Sequence, residues 1–322
     1  MVKVNYFNMQ FRSTAIISSS LLVLLISCVN NPSPSNTYES KQLTPHYENI
    51  RTTSDTLVTI PKFNSKFVSD RRIEILLPAQ YPKKETLYKV LYIQDGEHLF
   101  QNDTISFNKS LNFRNQIRSL QATNSISPTI VVAIWSSVNK RFNEYMPEQP
   151  KSLLNSAFAK AELKKQTGYN ELYSDEYLDF LVNELRPFII KNFQVSSNNE
   201  DSVIMGNEMG ALLSLYAAIK HPDIFGNAAC FEPYWNVPIL GDAFVETLPK
   251  SIPSPSSSKF YFDHNSLKTD SHYKSNHSRV LKAFKQKGYS DDNLLSIEYK
   301  NFIEDSVNWK RRMDIPLKFL LK

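Results

Sequence analysis

The stretch Val203-Ile204-Met205-Gly206-Asn207-Glu208-Met209-Gly210-Ala211-Leu212 leaves little choice of local fold. An apolar run leads into a turn bracketed by two glycines, and small and apolar residues at helical spacing follow. The pattern is strand, sharp turn, helix. The glycines permit the tight turn and a close helix approach that a Cβ would block. The chain has seven glycines in all, so two of them four residues apart carry weight. A turn of this kind lifts its central side chain clear of the sheet, as a nucleophile elbow does. Here that side chain is the carboxylate of Glu208, where a hydroxyl or thiol would be expected.

Apolar runs and helical periods alternate along the rest of the chain. Arg72 to Leu77 reads as a half-buried strand stopped by Pro78. Lys89 to Ile93 and Thr129 to Trp135 read as buried strands. Continuous apolar runs of this kind suit the centre of a helix-covered sheet. Ser174 to Phe193 carries Tyr177, Phe180, Leu181, Leu185 and Ile189 at helical spacing. Met209 to Lys220, Ser278 to Lys287 and Val307 to Leu321 are further helices. Val203 to Met205, Asn227 to Phe231, Lys259 to Phe262 and Leu295 to Tyr299 are further strands. Strand and helix in alternation predict an α/β fold, a mostly parallel central sheet with helices on both faces. The segment from Glu148 to Tyr173, with Lys160, Lys164 and Lys165, reads as a solvated lid, with a docking surface as the alternative.

The first residues stand apart. Lys3 and Arg12 precede an apolar run, Ala15 to Ile26, broken only by Ser18, Ser19 and Ser20. The run is short for a membrane span and reads as a signal-peptide core. Its end, Leu25-Ile26-Ser27-Cys28, resembles the bacterial lipobox, which implies cleavage before Cys28 and lipidation of its thiol. The expected organisation is a signal peptide over 1–27, a lipidated Cys28 and tether over 28–50, and one domain over 51–322. The expected place is the cell envelope, with the membrane as a partner through Cys28. The other cysteine, Cys230, lies in an apolar stretch and has no partner for a disulfide if Cys28 carries lipid. Removing residues 1–27 takes the formal charge from +5 to +3. No basic block accompanies that mild charge, so nucleic acid is not an expected partner.

Several further segments resemble, in order, the esterase branch of the α/β-hydrolases, that of the enterochelin esterases and S-formylglutathione hydrolases. They are Val90-Leu91-Tyr92-Ile93-Gln94-Asp95-Gly96-Glu97-His98-Leu99-Phe100, Arg141-Phe142-Asn143-Glu144-Tyr145-Met146-Pro147 and the helix Tyr177 to Ile189. Leu215 to Gly226 and Trp309-Lys310-Arg311-Arg312 with Pro316 to Leu321 complete the set. The resemblance covers roughly residues 55–322 and implies an α/β-hydrolase fold. It also implies where a triad would stand. The serine position is Glu208. The histidine position, five residues before Trp309, is Glu304. The acid position is Asp270, with Asp263 as the alternative. Backbone N–H groups of Met209 and of the Gly96-Glu97 region would form the oxyanion hole.

A serine triad needs a proton that a neighbouring imidazole removes, and neither partner is present. A degenerate, non-catalytic triad is therefore expected, with a small molecule or an envelope protein as the bound partner. A rewired hydrolase using Glu208 with His98 or His264 is the rival. Convergence of Glu208, Asp270 and Glu304 would need a proton or a cation among them. Otherwise Glu304 points to solvent from a relaxed loop. The spacing of His46, His98, His221, His264, His272 and His277 gives no zinc motif, so no metal and no cofactor are expected.

Overall fold

The computed structural model describes residues 50–100, 113–255, 258–267, 269–300 and 306–322. Eight strands form one sheet: β1 (Thr56–Phe63), β2 (Arg71–Leu77), β3 (Lys89–Gln94), β4 (Thr129–Ile134), β5 (Ser202–Asn207), β6 (Asn227–Phe231), β7 (Lys259–Asn265) and β8 (Leu294–Tyr299). Their spatial order is β1-β2-β4-β3-β5-β6-β7-β8. β2 runs antiparallel to both neighbours, and every other pairing from β4 to β8 is parallel. The expected α/β architecture is the observed one.

Strand periodicity decides what lies on each face. Val90 and Tyr92, Ile130 and Val132, and Ala228 and Cys230 join one core. Their alternates Leu91 and Ile93, Val131 and Ala133, and Ala229 and Phe231 join the other. The first core is covered by α5 (Ser174–Phe180), α6 (Arg186–Asn192), α7 (Met209–Lys220), α8 (Leu240–Ser251) and α9 (Ser271–Gln286). The second is covered by α1 (Phe113–Ala122) and α10 (Ser306–Leu321). β1 closes one edge. Its exposed Pro61 and Lys62 and its irregular register after Ile60 blunt that edge against further pairing.

Three local differences from the sequence reading have simple causes. The helix expected over Ser174 to Phe193 is α5 and α6 joined by a π turn, Leu181–Leu185. Pro187 lacks an N–H and its ring crowds the carbonyl four residues back, so the ladder widens there. The helix expected from Ser278 starts at Ser271, because Asp270 caps it. The segment read as a lid contains two helices, α3 (Lys151–Leu154) and α4 (Ala157–Thr167). The Ser156 hydroxyl accepts from Ala159 N–H at the start of α4, and Gly168 ends it at φ 82°. The short α2 (Arg141–Tyr145) follows β4.

Candidate active site

β5 ends at Asn207 and α7 begins at Met209, so Glu208 is the whole turn. Its backbone sits at φ 52°, ψ −110°. For a residue with a Cβ such angles are strained, typically by about 1–3 kcal/mol, and persist only where surroundings over-determine them. Glu208 N–H donates to Phe231 O at 2.9 Å. Glu208 O accepts from Ala211, Leu212 and Tyr234 N–H at 3.1, 3.2 and 3.3 Å. A Cβ on Gly206 would lie 2.3 Å from the Gly210 carbonyl, so the helix can start here only on glycine. The Glu208 side chain is exposed and does not cap its own helix. Among the described residues it forms no ion pair with a lysine, arginine or histidine.

Beside the elbow lies the loop after β3. Asp95 adopts φ 57° and holds Arg141 through both oxygens, with Nε at 2.6 Å and Nη2 at 2.9 Å. The guanidinium lies over the Tyr145 ring, 5.1 Å from its centroid. Burial works against the charge of Arg141. Its bonds to Asp95 outweigh that, with Glu208 adding a smaller pull, and its pKa is raised. Gly96 abuts β4, where a Cβ would lie 2.8 Å from the Ala133 carbonyl carbon. The Glu97 carboxylate accepts from Ser136 N–H at 3.1 Å and from the Ser136 hydroxyl. Asp95 Oδ2 would be 3.2 Å from a Cβ on Gly210, so this loop and the start of α7 share one rim. The N–H of Met209, first in its helix, has no intrahelical acceptor. The Arg-Phe-Asn-Glu segment therefore has two separate tasks. Arg141 secures the loop, and Glu144 accepts both N–H groups of buried Arg71 at 3.1 and 3.0 Å.

The two acid candidates are employed elsewhere. Asp263, fully buried, is gripped by Arg312 of α10, with Nε at 2.7 Å and Nη2 at 2.5 Å. It also accepts from Tyr261 OH at 2.8 Å and Glu232 N–H at 3.1 Å. Arg312 Nη1 lies 3.4 Å from Glu232 Oε1. Asp270 sits at the surface and caps α9, its Oδ1 accepting from Tyr273 N–H at 2.7 Å and Asn236 Nδ2 at 3.1 Å. Those two bonds hold its carboxyl below the usual range. Glu304 lies outside the described residues, as do Cys28, His46 and the His98 side chain. The described residues contain no group of three or more His, Cys, Asp or Glu able to hold a metal.

Four histidines can be placed. His277 Nδ1 accepts from Trp235 Nε1–H at 3.3 Å, which leaves Nε2 to carry the proton and donate to Ser296 Oγ at 3.0 Å. Burial, with a smaller effect of His264, pushes its pKa down to about 3. His264 Nε2 is 3.8 Å from Glu298 Oε1, and its buried Nδ1 has no hydrogen-bond partner among the described residues. Burial lowers its pKa too. His272 Nε2 lies 3.1 Å from Asp242 Oδ1. His221 follows α7. None of the four pairs with Glu208.

The profile of the family described as "Putative esterase" matches residues 65–316. The chain belongs to this family. A curated relative, the uncharacterized protein YbbA of Bacillus subtilis (strain 168), is 26% identical over 255 residues, 74% of this chain and 90% of YbbA. Among solved structures, a ferulic acid esterase superposes with a TM-score of 0.59 at 16% identity, covering 84% of this chain and 98% of that one. An IroE-like serine hydrolase from Shewanella oneidensis gives 0.59 at 17% identity, covering 83% of this chain and 80% of that one. These likenesses fix the fold and agree with the sequence resemblance. Within this esterase frame, the sequence pointed to the elbow and to the loop after β3. It did not point to Ser136, Asn236, Glu232 or Arg312 as partners of the site residues. Arg312 stood inside a matched segment, but nothing in that segment names a partner 49 positions away.

Proposed function

We propose that this chain is a non-hydrolytic member of the esterase family that binds a carbonyl-bearing small molecule at its elbow. The observation that carries the reading is Glu208 itself. It puts a carboxylate, not a hydroxyl or thiol, in a strained, glycine-locked turn, with no imidazole among the described side chains paired to it. Loss of the nucleophile alone lowers a serine hydrolase by about 10⁶ in rate, and loss of the base adds little. Backbone donors depend on chain path rather than side-chain identity, so the rim of Met209 N–H and Gly96-Glu97 can still receive an oxygen.

The test is turnover of p-nitrophenyl acetate by the full chain and its Glu208→Ala variant. The expected result is no rate above buffer for either, with carbonyl compounds still raising the thermal midpoint of the wild-type chain. Turnover that disappears in Glu208→Ala would make the chain a working hydrolase with a rewired site.

The same proposal places the domain on a lipid anchor in the cell envelope. The support is the apolar run ending at Ser27-Cys28 and the tether after it. Metabolic labelling with a radioactive fatty acid should mark the chain and fail to mark Cys28→Ser. Equal labelling of both would remove the anchor.

A further inference from the structure

From the elbow geometry we infer an activity: reversible removal of a proton from the carbon next to a bound carbonyl, with Glu208 as the base. The inference rests on the binding reading above. The ligand class is a ketone or other carbonyl compound with a C–H beside the carbonyl.

The argument begins with reach. In a serine elbow the nucleophilic oxygen is bonded directly to Cβ and meets the carbonyl carbon. The Glu208 carboxylate oxygens sit two carbon atoms farther out on the same Cβ. A carbonyl oxygen seated against Met209 N–H and the Gly96-Glu97 backbone then presents not its carbon but the neighbouring C–H group to that carboxylate. What is held in place is the backbone that carries Glu208 and the loop beside it. The turn is held by four hydrogen bonds, the Gly206–Gly210 contact admits no Cβ, and Asp95 and Glu97 pin the loop through Arg141 and Ser136. The carboxylate is exposed and without an ion pair among the described residues, and the charge of Arg141 acts on it only from beyond ion-pair distance.

The step balances without any co-reactant. A Glu208 oxygen takes the proton, the C–H electron pair becomes the new carbon–carbon π bond, and the carbonyl π pair moves onto oxygen. Negative charge passes from the carboxylate to that oxygen and the total is unchanged. The oxygen then lies against backbone N–H donors at the positive end of α7, which carries roughly half a unit charge. Returning the proton restores the carbonyl. No leaving group is expelled, so no relay histidine is required. A base placed beside an oxyanion hole is a known arrangement for this chemistry on other folds.

The experiment is hydrogen–deuterium exchange at the methyl groups of acetone and acetophenone, followed by proton NMR in D₂O with the full chain. Saturation-transfer NMR on the same samples reports binding. A positioned general base contributes about 10²–10⁴-fold, so exchange at least about 100-fold above buffer is expected. Glu208→Gln should abolish it with an unchanged thermal midpoint. Binding of either ketone without exchange, or exchange that survives Glu208→Gln, overturns the inference and leaves the binding reading standing. Neither binding nor exchange overturns both. Ketones have no ester bond, so residual hydrolysis cannot imitate the signal.

Discussion

A carboxylate in backbone angles that penalise any Cβ is the most telling residue-scale feature of the molecule. Strain at Glu208 is maintained through backbone: hydrogen bonds with Phe231, Ala211, Leu212 and Tyr234, and the close approach of two glycines. The turn therefore survives a change of side chain, and its chemistry does not. His277 shows the opposite dependence, since its ring is enclosed and its role is fixed by neighbours. Burial holds its folded pKa at about 3, against roughly 6.5 when unfolded. Below about pH 6.5 the unfolded chain takes up a proton that the folded chain refuses. The contribution is thus fully present above that value and is lost as pH falls toward 3. Urea unfolding of the full chain should show a loss of about 2–3 kcal/mol from this group between pH 7 and pH 4.5. His277→Gln should be less stable at pH 7 and markedly flatter with pH. An equal slope in the variant would show that other groups set the acid sensitivity.

Among the elements, α10 takes up the acid candidate Asp263. Through Arg312 it reaches the ends of β6 and β7, where Glu232 and Asp263 await a counter-charge. In a triad the acid would orient an imidazole; here both oxygens of Asp263 face a guanidinium, a tyrosine and a backbone N–H. A buried pair of this kind adds little over an apolar replacement, but breaking it strands a charge, at a cost of about 3–5 kcal/mol. Arg312→Met should lower unfolding stability by that amount, and Asp263→Leu in the same chain should recover most of it. A single-variant loss below about 1 kcal/mol would mean that Asp263 finds another partner. α9 makes a similar point on the surface. Asp270, the acid suggested by resemblance, serves as its cap, which adds seven residues to a helix read as starting at Ser278.

For the molecule as a whole, the sequence by itself determined the class of fold and the position of the elbow. Both are local matters. Buried strands announce themselves as Leu-Tyr-Ile or Ile-Val-Val-Ala-Ile, helices by their period, and a strand-to-helix turn by two glycines four residues apart, of which Gly206 has no room for a Cβ. That a carboxylate, Glu208, stands between those glycines was legible for the same reason. Tertiary structure alone decided who partners whom. Asp95 with Arg141, Glu97 with Ser136, Asp263 with Arg312 and Asp270 with Asn236 are separated along the chain by 46, 39, 49 and 34 positions. A carboxylate's choice among many distant donors depends on where the sheet brings their backbones, and no spacing rule encodes it. Exposure followed the same logic. Asp263 within β7 and Glu208 just after β5 are both carboxylates, yet one is buried against Arg312 of α10 and the other stands open, because only the assembled fold sets which has protein above it.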